Sequence, residues 1–188
     1  GITASYLNNN LAEGMKVGIA WGRVLSSTVS QLTSLPALDV VQLSGVHPGI
    51  EFSQGPIDLI HRLSTISQGK AHPMYVPMWV DDESLAQKLA SDPAVVDTQQ
   101  YYSQLDVVIT GIGAWKTGSS SLCDIFPESW QKNLFEKDIA ADVCITLVNS
   151  KGEILDSPMS RLGFGISTEQ LRNTKTVIGV AGGEQKDE

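Results

Sequence analysis

Apolar positions in this chain fall into short continuous runs, and the stretches between the runs repeat them at helical spacing. "KVGIAW", "DVVQLSG", "DVVITGIG" and "KTVIGVAGG" are apolar on consecutive positions and end in or near glycine. Such runs suit strands buried on both faces. "RVLSSTVSQL" places Val24, Leu25, Thr28, Val29 and Leu32 on one helical stripe. "PIDLIHRLSTIS" predicts a second amphipathic helix, with Pro56 near its start where a missing N–H does no harm. "SYLNNNLAEG" predicts a short helix closed by Gly14, and "DDESLAQKLASD" one with acidic residues in its first turn. "PAVVDTQQYYSQL" and "SWQKNLFEKD" read as further helices, and "STEQLRN" opens with a capping-box pattern.

"HPMYVPMWV" reads as extended, its prolines Pro73 and Pro77 marking strand ends or an edge. "VHPGIEFSQG" is loop material. "ADVCITLVNSKGEIL" predicts a strand, a turn at Lys151–Gly152 and a returning strand. Helices that alternate with buried strands predict an α/β fold, a mostly parallel sheet with helices on both faces.

The 188 residues contain no linker, charge block or repeat, so one domain over 1–188 is expected. A hydrophobic share of 41% supplies a packed core. The formal charge is −8, with 13 Lys plus Arg against 21 Asp plus Glu and no basic run. The electrostatic footprint of a nucleic-acid binder is therefore missing. No leader pattern opens the chain, and no apolar run approaches the ~20 residues of a membrane span. A cytoplasmic location is the expectation, with no membrane partner.

Cys123 and Cys144 lack metal-ligand spacing, and Cys144 reads as a small core hydrophobe. His47, His61 and His72 are scattered. There is no GxxxxGK[ST], no GxGxxG opening a helix and no GxSxG elbow. No cofactor, metal or nucleophile emerges.

What remains is the strand ends. "AWGR", "LSGV", "GIGA" and "AGGE" each place glycine after an apolar run. In an open parallel sheet, ligands bind outside the carboxyl ends of the strands. A helix starting near Arg23 or Val24 would aim free N–H groups at that crevice, a ready anion site. Arg23 adds a charge and Ser26 or Ser27 a hydroxyl. Asp142 reads either as a strand-end carboxylate or as an acceptor for sugar hydroxyls. Lys186 reads as a surface lysine or as one facing the same crevice. Trp21 and Trp115, each beside a glycine strand end, are core residues or pocket walls.

The ordered set "ASYLNNNLAEGMKVGIAWGRVLSS", "VVQLSGV", "DLIHRLS", "VDDESLAQKLASDPAV", "DVVITGIGA", "IAADVCITLVNSKG" and "TVIGVAGGEQK" resembles the effector-binding domain of SorC/DeoR-type bacterial transcriptional regulators. The resemblance covers nearly the whole chain. It implies a Rossmann-like fold related to the sugar-phosphate isomerase, glucosamine-phosphate deaminase and coenzyme A transferase group. It implies a sensor of a sugar or phosphorylated sugar, assembled as a homodimer or homotetramer. Operator DNA would be bound by a separate helix-turn-helix domain absent from this chain.

Carried over by residue, the resemblance assigns ligand contacts to Gly22, Arg23 and Val24, to Ser44 and Gly45, and to Gly111, Ile112, Gly113 and Ala114. It adds the acidic Asp142 and the lysine Lys186. Val24 stands where a hydroxyl residue is common, and Ser44 where some members carry a cation. The family continues past this chain's Glu188 through a helix, a strand and a helix. An enzyme of the related fold is the alternative, with Asp142 as its base, and a module with an empty pocket is a third.

Overall fold

A computed structural model of the chain describes residues 1–134 and 137–182. In chain order it contains α1 (Ile2–Asn10), β1 (Lys16–Ile19), α2 (Arg23–Val29), β2 (Asp39–Gln42), α3 (Pro56–Ser67), β3 (Lys70–His72), α4 (Glu83–Ala90) and α5 (Pro93–Gln99). Then come β4 (Val107–Ala114), α6 (Ser121–Ile125), α7 (Glu128–Leu134), β5 (Ala141–Val143), β6 (Thr146–Val148), β7 (Ile154–Leu155), α8 (Met159–Leu162), α9 (Thr168–Asn173) and β8 (Thr176–Val180). Short 3₁₀ turns occupy Phe52–Gln54 and Gln100–Gln104.

Strands β3, β2, β1, β4 and β8 lie side by side and all pair in parallel. The continuous apolar runs thus become the interior strands the sequence predicts. Val17, Val40, Val41 and Val108 are wholly buried. Helices α2 and α3 pack on each other, and α3 lies against β1, β2 and β3. Both helices connect parallel neighbours, and the right-handed rule for such crossovers puts them on one face. Sheet growth reverses at β1, running first toward β3 and then toward β4 and β8, so later connections cross the other face. There the 3₁₀ turn Gln100–Gln104 meets β1 and α9, and Leu105 closes over Gly18, where a Cβ would stand 3.0 Å from its side chain.

β4 is the longest strand and serves two ladders. Val107–Gly111 pairs with β8, while Ile112–Ala114 runs on to pair antiparallel with β5. From there β5, β6 and β7 form an antiparallel meander. The expected single strand "ADVCITLV" is therefore two. The chain reverses at Cys144–Ile145, with Cys144 at φ 56, and Val143 pairs with Thr146. Burial of Cys144 and Ile145 against the core, 6% and 8% exposed, explains how an apolar pair occupies a turn.

Other boundaries shift. The first helix ends at Asn10 rather than at Gly14, which instead turns at φ 80. α2 stops at Val29, and the segment after α5 tightens into 3₁₀. The expected extended "HPMYVPMWV" contributes to the sheet only at its start, through β3, and then as isolated bridges at Pro77 and Trp79. α3 and the capping box of α9, Ser167 with Gln170, match the sequence reading.

Candidate functional site

β1 and β4 are neighbours whose following segments diverge, and a cavity of about 640 Å³ opens at their carboxyl ends. That volume lies within the range of ligand pockets. Three of the four glycine strand ends line it: Gly22 after β1, Gly111 and Gly113 in β4, and Gly182 after β8. Arg23, Val24 and Asp142 line it too. The structure thus brings together six of the residues assigned from the sequence, and Ile112 with them. Lys186 lies outside the described residues.

Each wall has a local cause. Gly22 is the N-cap of α2 at φ 116, a conformation L side chains rarely adopt, and its N–H is held by the Gln54 carbonyl at 2.9 Å. The first-turn N–H groups of α2 have no helical carbonyl to meet. Val24 stands between two glycines, its methyls 3.6 Å and 3.4 Å from where Cβ atoms of Gly111 and Gly182 would be. Arg23 is nearly half exposed and sits 3.7 Å from Asp124.

Asp142 is only 8% exposed. It faces Gly113 across the β4–β5 ladder, and the buried Ser120 hydroxyl donates to its Oδ1. Thr110 and Cys144 line the cavity with their side chains 3.3 Å apart. Burial, with Asp142 adding to it, pushes the Cys144 thiol up to about 11. Cys144 is thus a neutral, polarisable wall rather than a thiolate. No cluster of three or more metal-ligating side chains occurs among the described residues.

Ser44 and Gly45 do not reach the cavity. Ser44 is wholly buried and bridges Gly165; the Gly45 N–H donates to Phe164 O at 2.9 Å. A Cβ at Gly45 would stand 2.2 Å from Pro77 O. Glycine there permits close backbone packing, and two extended passes of chain cover this strand end. Ala114 and Trp115 also lie outside the lining, and Trp115 packs edge-on to Phe126 at 5.1 Å. Trp21 does line the cavity. Ser27 is in the lining, whereas the Ser26 hydroxyl donates to Ser53 O and accepts from Arg62.

Sequence reasoning missed the segment 117–122, which supplies Thr117, Gly118, Ser119, Ser121 and Leu122 to the wall. The available signal was the serine run ahead of Leu122. Ser120 caps α6, accepting from Cys123 N–H at 2.9 Å.

The whole chain, residues 1–188, matches a family model described as "Putative sugar-binding domain". It is 24% identical over 184 residues to the sorbitol operon regulator of Klebsiella pneumoniae, covering 94% of this chain and 58% of that protein. It is 22% identical over 188 residues to the deoxyribonucleoside regulator of Bacillus subtilis (strain 168), covering 97% of this chain and 59% of that protein. The crystal structure of a transcriptional regulator from Streptococcus pneumoniae TIGR4 matches with a TM-score of 0.89 at 23% identity, over 98% of this chain and 72% of that one. The chain spans less than two thirds of the length of both sequence relatives.

Proposed function

The chain belongs to this sugar-binding domain family, and from that premise we propose that it is the ligand-sensing domain of a bacterial transcriptional regulator. Its guest is a sugar or phosphorylated sugar held in the cavity beyond β1, β4 and β8. The observation that carries the reading is one cavity lined by both a cation, Arg23, and a buried carboxylate, Asp142. Arg23 and the first-turn N–H groups of α2 suit a phosphate. Asp142, an acceptor, suits sugar hydroxyls.

The domain binds without chemistry. Occupancy favours one arrangement of loops and subunit contacts, and operator affinity follows from that preference. DNA contact belongs to a separate helix-turn-helix domain, and the protein works in the cytoplasm as a homodimer or homotetramer. Residues 1–188 act as one effector domain, with Lys186 a further ligand contact.

Calorimetry with a panel of pentoses, hexoses and their phosphates, each followed by analysis of the recovered sugar, tests this reading. Binding with unchanged sugar supports it. Turnover, or no binding by any member, refutes it.

A further inference from the structure

We infer that Ser120 is a positioning residue: it aims the Asp142 carboxylate into the cavity and ties it to the start of α6. The inference rests on the reading of this cavity as a sugar site. Ser120 is 1% exposed. Its hydroxyl makes two bonds with fixed roles. It accepts from the Cys123 N–H, at 2.9 Å, which orients its own hydrogen away from α6. It donates that hydrogen to Asp142 Oδ1.

Gly113 leaves the space in which the two side chains meet. A Cβ there would lie 2.3 Å from Asp142 Oδ1 and 2.9 Å from Ser120 Cβ. Asp142 is thus held from the strand side by the β4–β5 register and from the helix side by Ser120. A carboxylate free to rotate would accept from hydroxyls in several directions. One clamped at Oδ1 discriminates among ligands by where their hydroxyls point. Ser120 touches no ligand in this scheme and acts through Asp142.

Two roles of Ser120 must be separated, the helix cap and the aim of Asp142. Ser120→Gly removes the hydroxyl but keeps a good N-cap residue, Ser120→Ala removes both, and Ser120→Thr restores both. The probes are glucose 6-phosphate, ribose 5-phosphate and their monodeoxy analogues. In the parent protein, loss of the hydroxyl read by Asp142 weakens binding about ten- to hundredfold, the range for a hydrogen bond to a charged group. We expect Ser120→Gly and Ser120→Ala to shrink that ratio to within about threefold, and Ser120→Thr to recover it. A ratio unchanged in both Gly and Ala variants overturns the inference and leaves Ser120 a cap. A crystal structure of ligand-free Ser120→Gly gives a reading that needs no ligand: an Asp142 carboxylate in its parental orientation overturns the inference, and a rotated one supports it. Failure of every probe to bind counts against these sugar phosphates as guests, and the orientation of Asp142 then decides the role of Ser120.

Discussion

Gly113 stands directly opposite Asp142 in the β4–β5 ladder, and the side chain that Gly113 lacks would stand 2.3 Å from the Asp142 carboxylate. The missing side chain at this strand end leaves the room that the acid occupies. Two residues earlier, a Cβ on Gly111 would meet nothing nearer than Val24 at 3.6 Å, an ordinary contact. Gly113→Ala should therefore destabilise the domain by about 1–3 kcal/mol, the usual cost of overpacking, and abolish ligand binding. Gly111→Ala should change stability by less than about 1 kcal/mol while narrowing the cavity enough to weaken binding. Urea denaturation of both variants checks the contrast, and equal stability losses would contradict it.

In the proposed site, Asp124 would compete with an anionic guest for Arg23. The pair is 3.7 Å apart with side chains 46% and 32% exposed, so its loss costs little stability. Asp124→Asn should leave the denaturation midpoint nearly unchanged and raise affinity for phosphorylated sugars several-fold, with no gain for their neutral counterparts. A gain of equal size for both classes would show that Asp124 acts on cavity shape rather than on charge.

Among the described residues, Asp106 at the far end of the sheet is a carboxylate that should make the fold sensitive to acid. Lys175 donates to Asp106 at 2.7 Å and the Lys16 N–H donates at 3.0 Å, and these bonds hold the Asp106 carboxyl below its ordinary value of 3.8. A carboxylate with a lowered folded pKa stabilises fully above its unfolded value, and that contribution fades as pH falls through the folded one. Asp106→Asn should cost about 1 kcal/mol at pH 7 and less at about pH 3, below the group's ordinary value of 3.8. Stability curves at the two pH values test this directly. A cost that persists undiminished in acid would place the effect in packing.

Cys144 should be inert to thiol reagents at pH 8, because burial and its neighbour Asp142 push its thiol up to about 11. Cys123, partly exposed at α6, should react first though slowly, its thiol also raised by burial and by Asp124 and Asp142. Mass spectrometry after timed alkylation would show Cys144 labelled only on unfolding. Prompt labelling of Cys144 in the native protein would mean that the cavity floor opens.

The parallel half of this fold was legible in the sequence because burial on both faces writes itself as unbroken apolar runs. The antiparallel half was legible only in its last hairpin, where β6 turns at Lys151–Gly152 and returns as β7. "ADVCITLV" is as apolar as an interior strand, yet it folds back at Cys144–Ile145, because a buried turn leaves no polar or glycine mark. The strand-end glycines carried the site only in part. Gly22, Gly111, Gly113 and Gly182 reach one cavity, while Gly45 is glycine because Pro77 backbone passes over it. A sequence records that a side chain is missing, and only the fold shows whether a ligand or another strand fills the space. Ser120 and Asp124 escaped notice for a related reason: their partners, Asp142 and Arg23, lie far away in sequence and meet them only through the α6 segment.

Thermal unfolding with saturating sugar phosphate, measured on the parent protein and on Arg23→Ala and Asp142→Asn, tests the central claim most directly. Ligand at ~100 times its dissociation constant adds ~2.7 kcal/mol, which for a domain of this size raises Tm by roughly 5–10 °C. The parent should show that rise, Arg23→Ala should lose it for phosphorylated sugars, and Asp142→Asn should lose it for every sugar. A parent that does not respond, or variants that respond as the parent does, would contradict a sugar site beyond β1 and β4.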